Sequence, residues 1–132
     1  MKKKMLLIST MIVISTLLFA GCNFVSLEPV LAPTSLRIDN SILEWDAPSY
    51  ELDENMTMSF EVQWNSSPAV TRTYSGITAT NFDLANRSGL PAQGVIIQIR
   101  VRAIVQHSTT SGIFTTSSNA VSSWATIDYT VI

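Results

Sequence analysis

The sequence predicts an all-β chain, an antiparallel seven-stranded sandwich that follows an N-terminal signal helix. Two observations carry the sandwich. Apolar and polar residues alternate with a period of two in run after run, and clusters of Asp, Asn, Ser, Gly and Pro separate the runs. A third observation carries the signal: three consecutive lysines precede a short apolar run. With 132 residues, the chain has room for one domain with a core and little else.

The N-terminal residues come first. Lys2, Lys3 and Lys4 are basic, and residues 5–19 form an apolar run of fifteen, broken only by Ser9, Thr10, Ser15 and Thr16. That run falls short of the roughly 20 residues that span a bilayer as a helix. Next comes Leu18-Phe19-Ala20-Gly21-Cys22. It resembles the lipobox of bacterial lipoproteins, in which a small pair precedes a cysteine that takes a diacylglyceryl thioether and becomes the first mature residue. Ala20, Gly21 and Cys22 fit; Phe19 departs where leucine is usual. The resemblance implies lipidation of Cys22 and a membrane anchor on the extracytoplasmic face. Two acyl chains hold stably where one does not. An uncleaved membrane anchor, or a cysteine with no such role, stays open. The predicted division is a signal peptide over 1–21, a tether over 22–32 and a domain over 33–132.

The tether contains Pro29 and is followed by Pro33, and proline discourages both helix and central strand. Leu36 and Ile38 then begin a strand, Asp39-Asn40-Ser41 turns it, and Leu43 and Trp45 return. Residues 50–55 read as an acidic loop. Phe60, Val62 and Trp64 share one face of a third strand, with Ser59, Glu61 and Gln63 on the other. Residues 70–74 form a weaker polar strand ended by Gly76, and Phe82 and Leu84 mark a short one. The strongest run is residues 95–105, where Ile97, Ile99, Val101 and Ala103 alternate with Gln98, Arg100 and Arg102. Period two in β-branched residues means a half-buried strand. Residues 107–116 read as a polar loop, and 120–127 as the last strand.

Pro33-Thr34-Ser35-Leu36-Arg37-Ile38 followed by Leu43-Glu44-Trp45-Asp46-Ala47-Pro48 resembles the opening of a fibronectin type III domain, an immunoglobulin-like sandwich. Phe60-Glu61-Val62 is similar to that family's third strand, Ile99-Arg100-Val101-Arg102-Ala103 to its sixth, and Ser117-Ser118-Asn119-Ala120-Val121 to the start of its seventh. The resemblance covers residues 33–127. It implies that Trp45 lies between the sheets and that the third and sixth strands are antiparallel neighbours, which sets Glu61 against Arg100 or Arg102. Ile97 stands where the family commonly has a corner tyrosine.

Charge and residue counts exclude several functions. The whole chain carries −2, but all three lysines precede residue 5; from Cys22 onward five arginines face ten acids. A net of about −5 argues against nucleic acid, whose phosphates call for a basic stripe. A lone cysteine excludes an internal disulfide, and a single histidine excludes His-rich metal sites. His107 reads as loop decoration. The serines lack a G-x-S-x-G elbow, and Asp46, Glu51, Asp53 and Glu54 lack EF-hand spacing. Three Asn-x-Ser/Thr triplets, at Asn55, Asn65 and Asn86, have no default meaning in a bacterial lipoprotein. No metal or cofactor is expected. The function expected is a non-enzymatic surface lipoprotein, a binding or spacer module at the cell envelope. Its possible contact surface is the outward stripe of Gln63, Gln98, Arg100 and Arg102. The alternative is an accessory carbohydrate-binding module, which needs exposed rings at positions such as Trp64, Tyr74, Trp124 or Tyr129.

Overall fold

Eight antiparallel strands in two sheets make up the fold, in a computed structural model that describes residues 26–132 except Pro68, Ala69 and Asn86. The expected signal helix and Cys22 lie outside the described residues. No helix occurs among those described. The strands are β1 (Thr34–Asp39), β2 (Ile42–Asp46), β3 (Met56–Ser67), β4 (Val70–Ile77), β5 (Asn81–Asp83), β6 (Ile96–Ser111), β7 (Phe114–Val121) and β8 (Ala125–Thr130). One sheet has the order β1-β2-β5. The other has β4-β3-β6-β7, with β8 also on β6.

The first hairpin shows how local chemistry sets register. Asp39 pairs with Ile42, so the loop is Asn40-Ser41, and both residues have positive φ (48° and 66°). That is the backbone of a primed turn, whose twist suits paired strands. Ser41 is buried despite its strained φ. Its carbonyl accepts from the Leu84 amide at 2.8 Å, and its Oγ meets the Tyr129 hydroxyl at 3.3 Å. The turn therefore ties β8 to the segment after β5.

The core follows the alternation. Leu43 and Trp45 on β2 face Phe60, Val62 and Trp64 on β3, and Ile97, Ile99, Val101, Ala103 and Val105 on β6. Trp45 is 1% exposed and meets Phe60 edge-on, with ring centroids 5.3 Å apart. Val30 belongs to this core although it precedes β1. Nearby, the Tyr50 hydroxyl donates to the Glu28 carbonyl at 2.9 Å.

Three expectations are corrected. The final strand is two: β7 pairs with the C-terminal half of β6 and β8 with its N-terminal half. Between them, Ser122 and Ala103 exchange hydrogen bonds, Ser122 N–H to the Ala103 carbonyl at 2.9 Å and Ala103 N–H to Ser122 Oγ at 2.8 Å. A side-chain oxygen replaces a backbone acceptor there, and the strand is interrupted. Second, residues 107–116 are no loop but the distal part of the β6–β7 hairpin, paired from His107–Ser118 to Ser111–Phe114. Third, His107 is buried, because it continues the inward series 97, 99, 101, 103 and 105 by one more step.

The ends of the sandwich differ. The N-terminal segment, the 47–55 loop and the β6–β7 hairpin share one end, since Thr34 pairs with Asp46 and the Ser108 amide donates to the Asn55 carbonyl at 3.0 Å. Val131 lies at the other end, bonded to Val95 and Gly94.

Candidate interaction face

The outer face of the five-stranded sheet holds the polar residues singled out by alternation. With Phe60 and Val62 inward, Glu61 and Gln63 point out; with Ile99 and Val101 inward, so do Arg100 and Arg102. Pairing of β3 with β6 sets Glu61 opposite Arg102 and Gln63 opposite Arg100. Arg102 Nη2 reaches Glu61 Oε2 at 2.7 Å, and Arg102 Nε donates to the same oxygen at 2.8 Å. This is the cross-strand ion pair expected from the sequence.

The arrangement extends sideways. Arg100 Nη2 donates to Gln63 Oε1, and Gln63 Nε2 donates to Thr73 Oγ1 at 3.0 Å. Ser75 Oγ donates to Glu61 Oε1 at 3.4 Å. Trp124 lies in the break between β7 and β8, and both guanidiniums sit over its ring, Arg102 at 4.4 Å and Arg100 at 4.9 Å from the centroid. A guanidinium over an indole face is attracted by the ring quadrupole. The order across the sheet is Thr73, Gln63 and Arg100 in one row, Ser75, Glu61 and Arg102 in the next, with Trp124 closing both. Three of the four stripe residues are thus joined to one another or to neighbours. Gln98 is the fourth, exposed opposite Asp128. It lines a groove of about 560 Å³ with Trp64, Asn65, Pro91, Ile96 and Arg100.

Trp124, singled out from the sequence as a candidate open ring within the last strand, lies instead in the break between β7 and β8, beneath the two arginines. Its place depends on the interruption of that strand at Ser122, which the residue pattern over 120–127 does not signal. The other rings are also placed. Trp64 is 1% exposed, its Nε1 donating to the Gly89 carbonyl at 3.1 Å, and Tyr129 is buried. Tyr74 stacks on Trp64 at 5.3 Å and lies 5.1 Å from Phe82, so it bridges the two sheets at their β4 and β5 edges. Arg87 covers Phe82 at 4.4 Å. No row of open rings exists at Trp64, Tyr74, Trp124 and Tyr129.

The acidic residues do not converge. Asp46 and Glu44 both pair with Arg37, at 3.3 and 3.1 Å, and Asp53 Oδ1 accepts from the Asn55 amide. Among the described residues, no group of three or more His, Cys, Asp or Glu side chains comes together. No family model, curated protein or solved structure matches the chain.

Proposed function

We propose that this chain is a lipid-anchored, non-enzymatic module on the extracytoplasmic face of a bacterial cell membrane, whose fibronectin type III-like sandwich serves as a binding or spacer unit. The observation that carries the anchor is the order of basic residues, short apolar run, Ala20-Gly21 and Cys22, followed closely by a folded sandwich. Two strand relations support the finer fold. Counting β7 and β8 as one interrupted strand gives seven strands, and the third and sixth then lie side by side and antiparallel. The cations of the stripe have partners within the domain, which leaves Gln98 and its groove as the part of that face open to a partner. Burial of Trp64 and Tyr129 favours this reading over a sugar-binding platform.

Replacing Cys22 by Ser tests the anchor. The variant is expected to lose the diacylglyceryl mass increment and to leave the membrane fraction or accumulate as uncleaved precursor. Mass spectrometry of protein extracted from its native membrane decides the matter, and an unmodified Cys22 there overturns the proposal.

A further inference from the structure

The β6–β7 hairpin runs on past the core. Its last buried position is His107, and the paired residues beyond it are Ser108–Ser117, Thr109–Thr116, Thr110–Thr115 and Ser111–Phe114. At the rise of an antiparallel strand, this finger projects roughly 15 Å. Gly112 (φ 64°) and Ile113 make its two-residue turn. Ile113 is 91% exposed and Phe114 74%. No Asp, Glu, Lys or Arg occurs between Arg102 and Asp128, so the finger is uncharged throughout. Among the described residues, no other strand pair is polar, uncharged and tipped by two bare apolar side chains.

The finger leaves the sandwich at the end where the chain arrives from Cys22. Cys22 is eight residues before Val30, which is fixed in the core. Eight residues span at most about 28 Å, so an anchor at Cys22 keeps this end of the domain within that distance of its membrane. Exposed Leu31 is on the same end. In the neighbouring acidic loop, Asn55 is level with Ser108 at the base of the finger, and the Asp53 carbonyl accepts from the Met56 amide, which keeps Asp53 near that base.

We propose that the tip of the β6–β7 hairpin, Ile113 and Phe114, docks on the lipid surface to which the chain is anchored, and so fixes the domain's orientation on it. The docking rests on the anchored reading of Cys22 above. An apolar tip on an uncharged, hydrogen-bonded hairpin enters the headgroup boundary with its backbone groups already paired, whereas charges there would resist desolvation. The contact is short, so it acts only when the anchor holds the domain near the surface.

Trp emission of the full mature chain, bearing Phe114→Trp and anchored to phosphatidylcholine vesicles, reads the contact directly. Brominated lipid is expected to quench this variant well beyond the wild type, whose tryptophans lie on the sandwich. Adding Ile113→Ser is expected to reduce the excess. A second arm holds the mature chain with Cys22→Ser and Phe114→Trp on nickel-chelating vesicles through an N-terminal histidine tag. Excess quenching in this arm supports the docking even if Cys22 proves unlipidated, a result that would remove the anchor alone. Absence of excess quenching in both arms overturns the docking. Dimerisation in lipid-free solution that Phe114→Ser abolishes also overturns it, since the tip then serves a second copy of the chain.

Discussion

Two buried tryptophans with different indole environments make a sharp comparison. Trp45 Nε1 is buried with no hydrogen-bond partner among the described residues, whereas Trp64 Nε1 donates to the Gly89 carbonyl. Both rings are 1% exposed. Replacement by phenylalanine removes a similar volume from each site, but at Trp64 it also leaves the Gly89 carbonyl without this donor. Trp64→Phe is therefore expected to cost about 1 kcal/mol more than Trp45→Phe, measured by urea unfolding. Trp45→Ala, which empties the site, is expected to cost about 3–5 kcal/mol. The inward direction of both rings was legible in the period-two pattern. The polar ends of the rings were not, because Gly89 is in a loop whose path depends on packing between distant segments.

At the scale of strands, the pairing of β3 with β6 was readable for the same reason that register is strongly specified: a one-residue slip would turn Phe60, Val62, Ile99 and Val101 to solvent. The Glu61–Arg102 pair adds to that specification. Its side chains are partly covered, 15% and 31% exposed, and Trp124 shields the arginine from one side. A double-mutant cycle of Glu61→Gln and Arg102→Gln is expected to give a coupling of roughly 0.2–1 kcal/mol. Repeating the cycle in Trp124→Ala is expected to lower it, because water then reaches the guanidinium. The distal hairpin was illegible in the sequence for an equally physical reason. Beyond His107 both faces of the ribbon meet solvent, so serine and threonine fill both, and the alternation that marks a half-buried strand vanishes. Threonine nevertheless suits a strand, and Thr110 Oγ1 meets Thr115 Oγ1 at 3.2 Å across the ribbon.

For the whole molecule, composition and charge argue against a nucleic-acid partner without naming another. The sandwich was legible because its core obeys one period throughout; the number of strands was miscounted by one because Ser122 substitutes a hydroxyl for a backbone acceptor and divides the last of them. Val30 and Val131, both in the core, lie at opposite ends of the strands. That placement has a mechanical consequence. Tension applied between these two residues runs along the strand axes, across hydrogen bonds that lie perpendicular to them. Such bonds share the load and fail together, whereas bonds pulled open from one end fail in turn. Single-molecule stretching by handles at the two ends is expected to give one abrupt rupture at high force, while handles at Ile104 and Val121, which face each other across the open end of the β6–β7 ladder, are expected to open β7 from β6 gradually at low force. A domain loaded in shear keeps its length under drag, and its strands act as a stiff rod between its two ends.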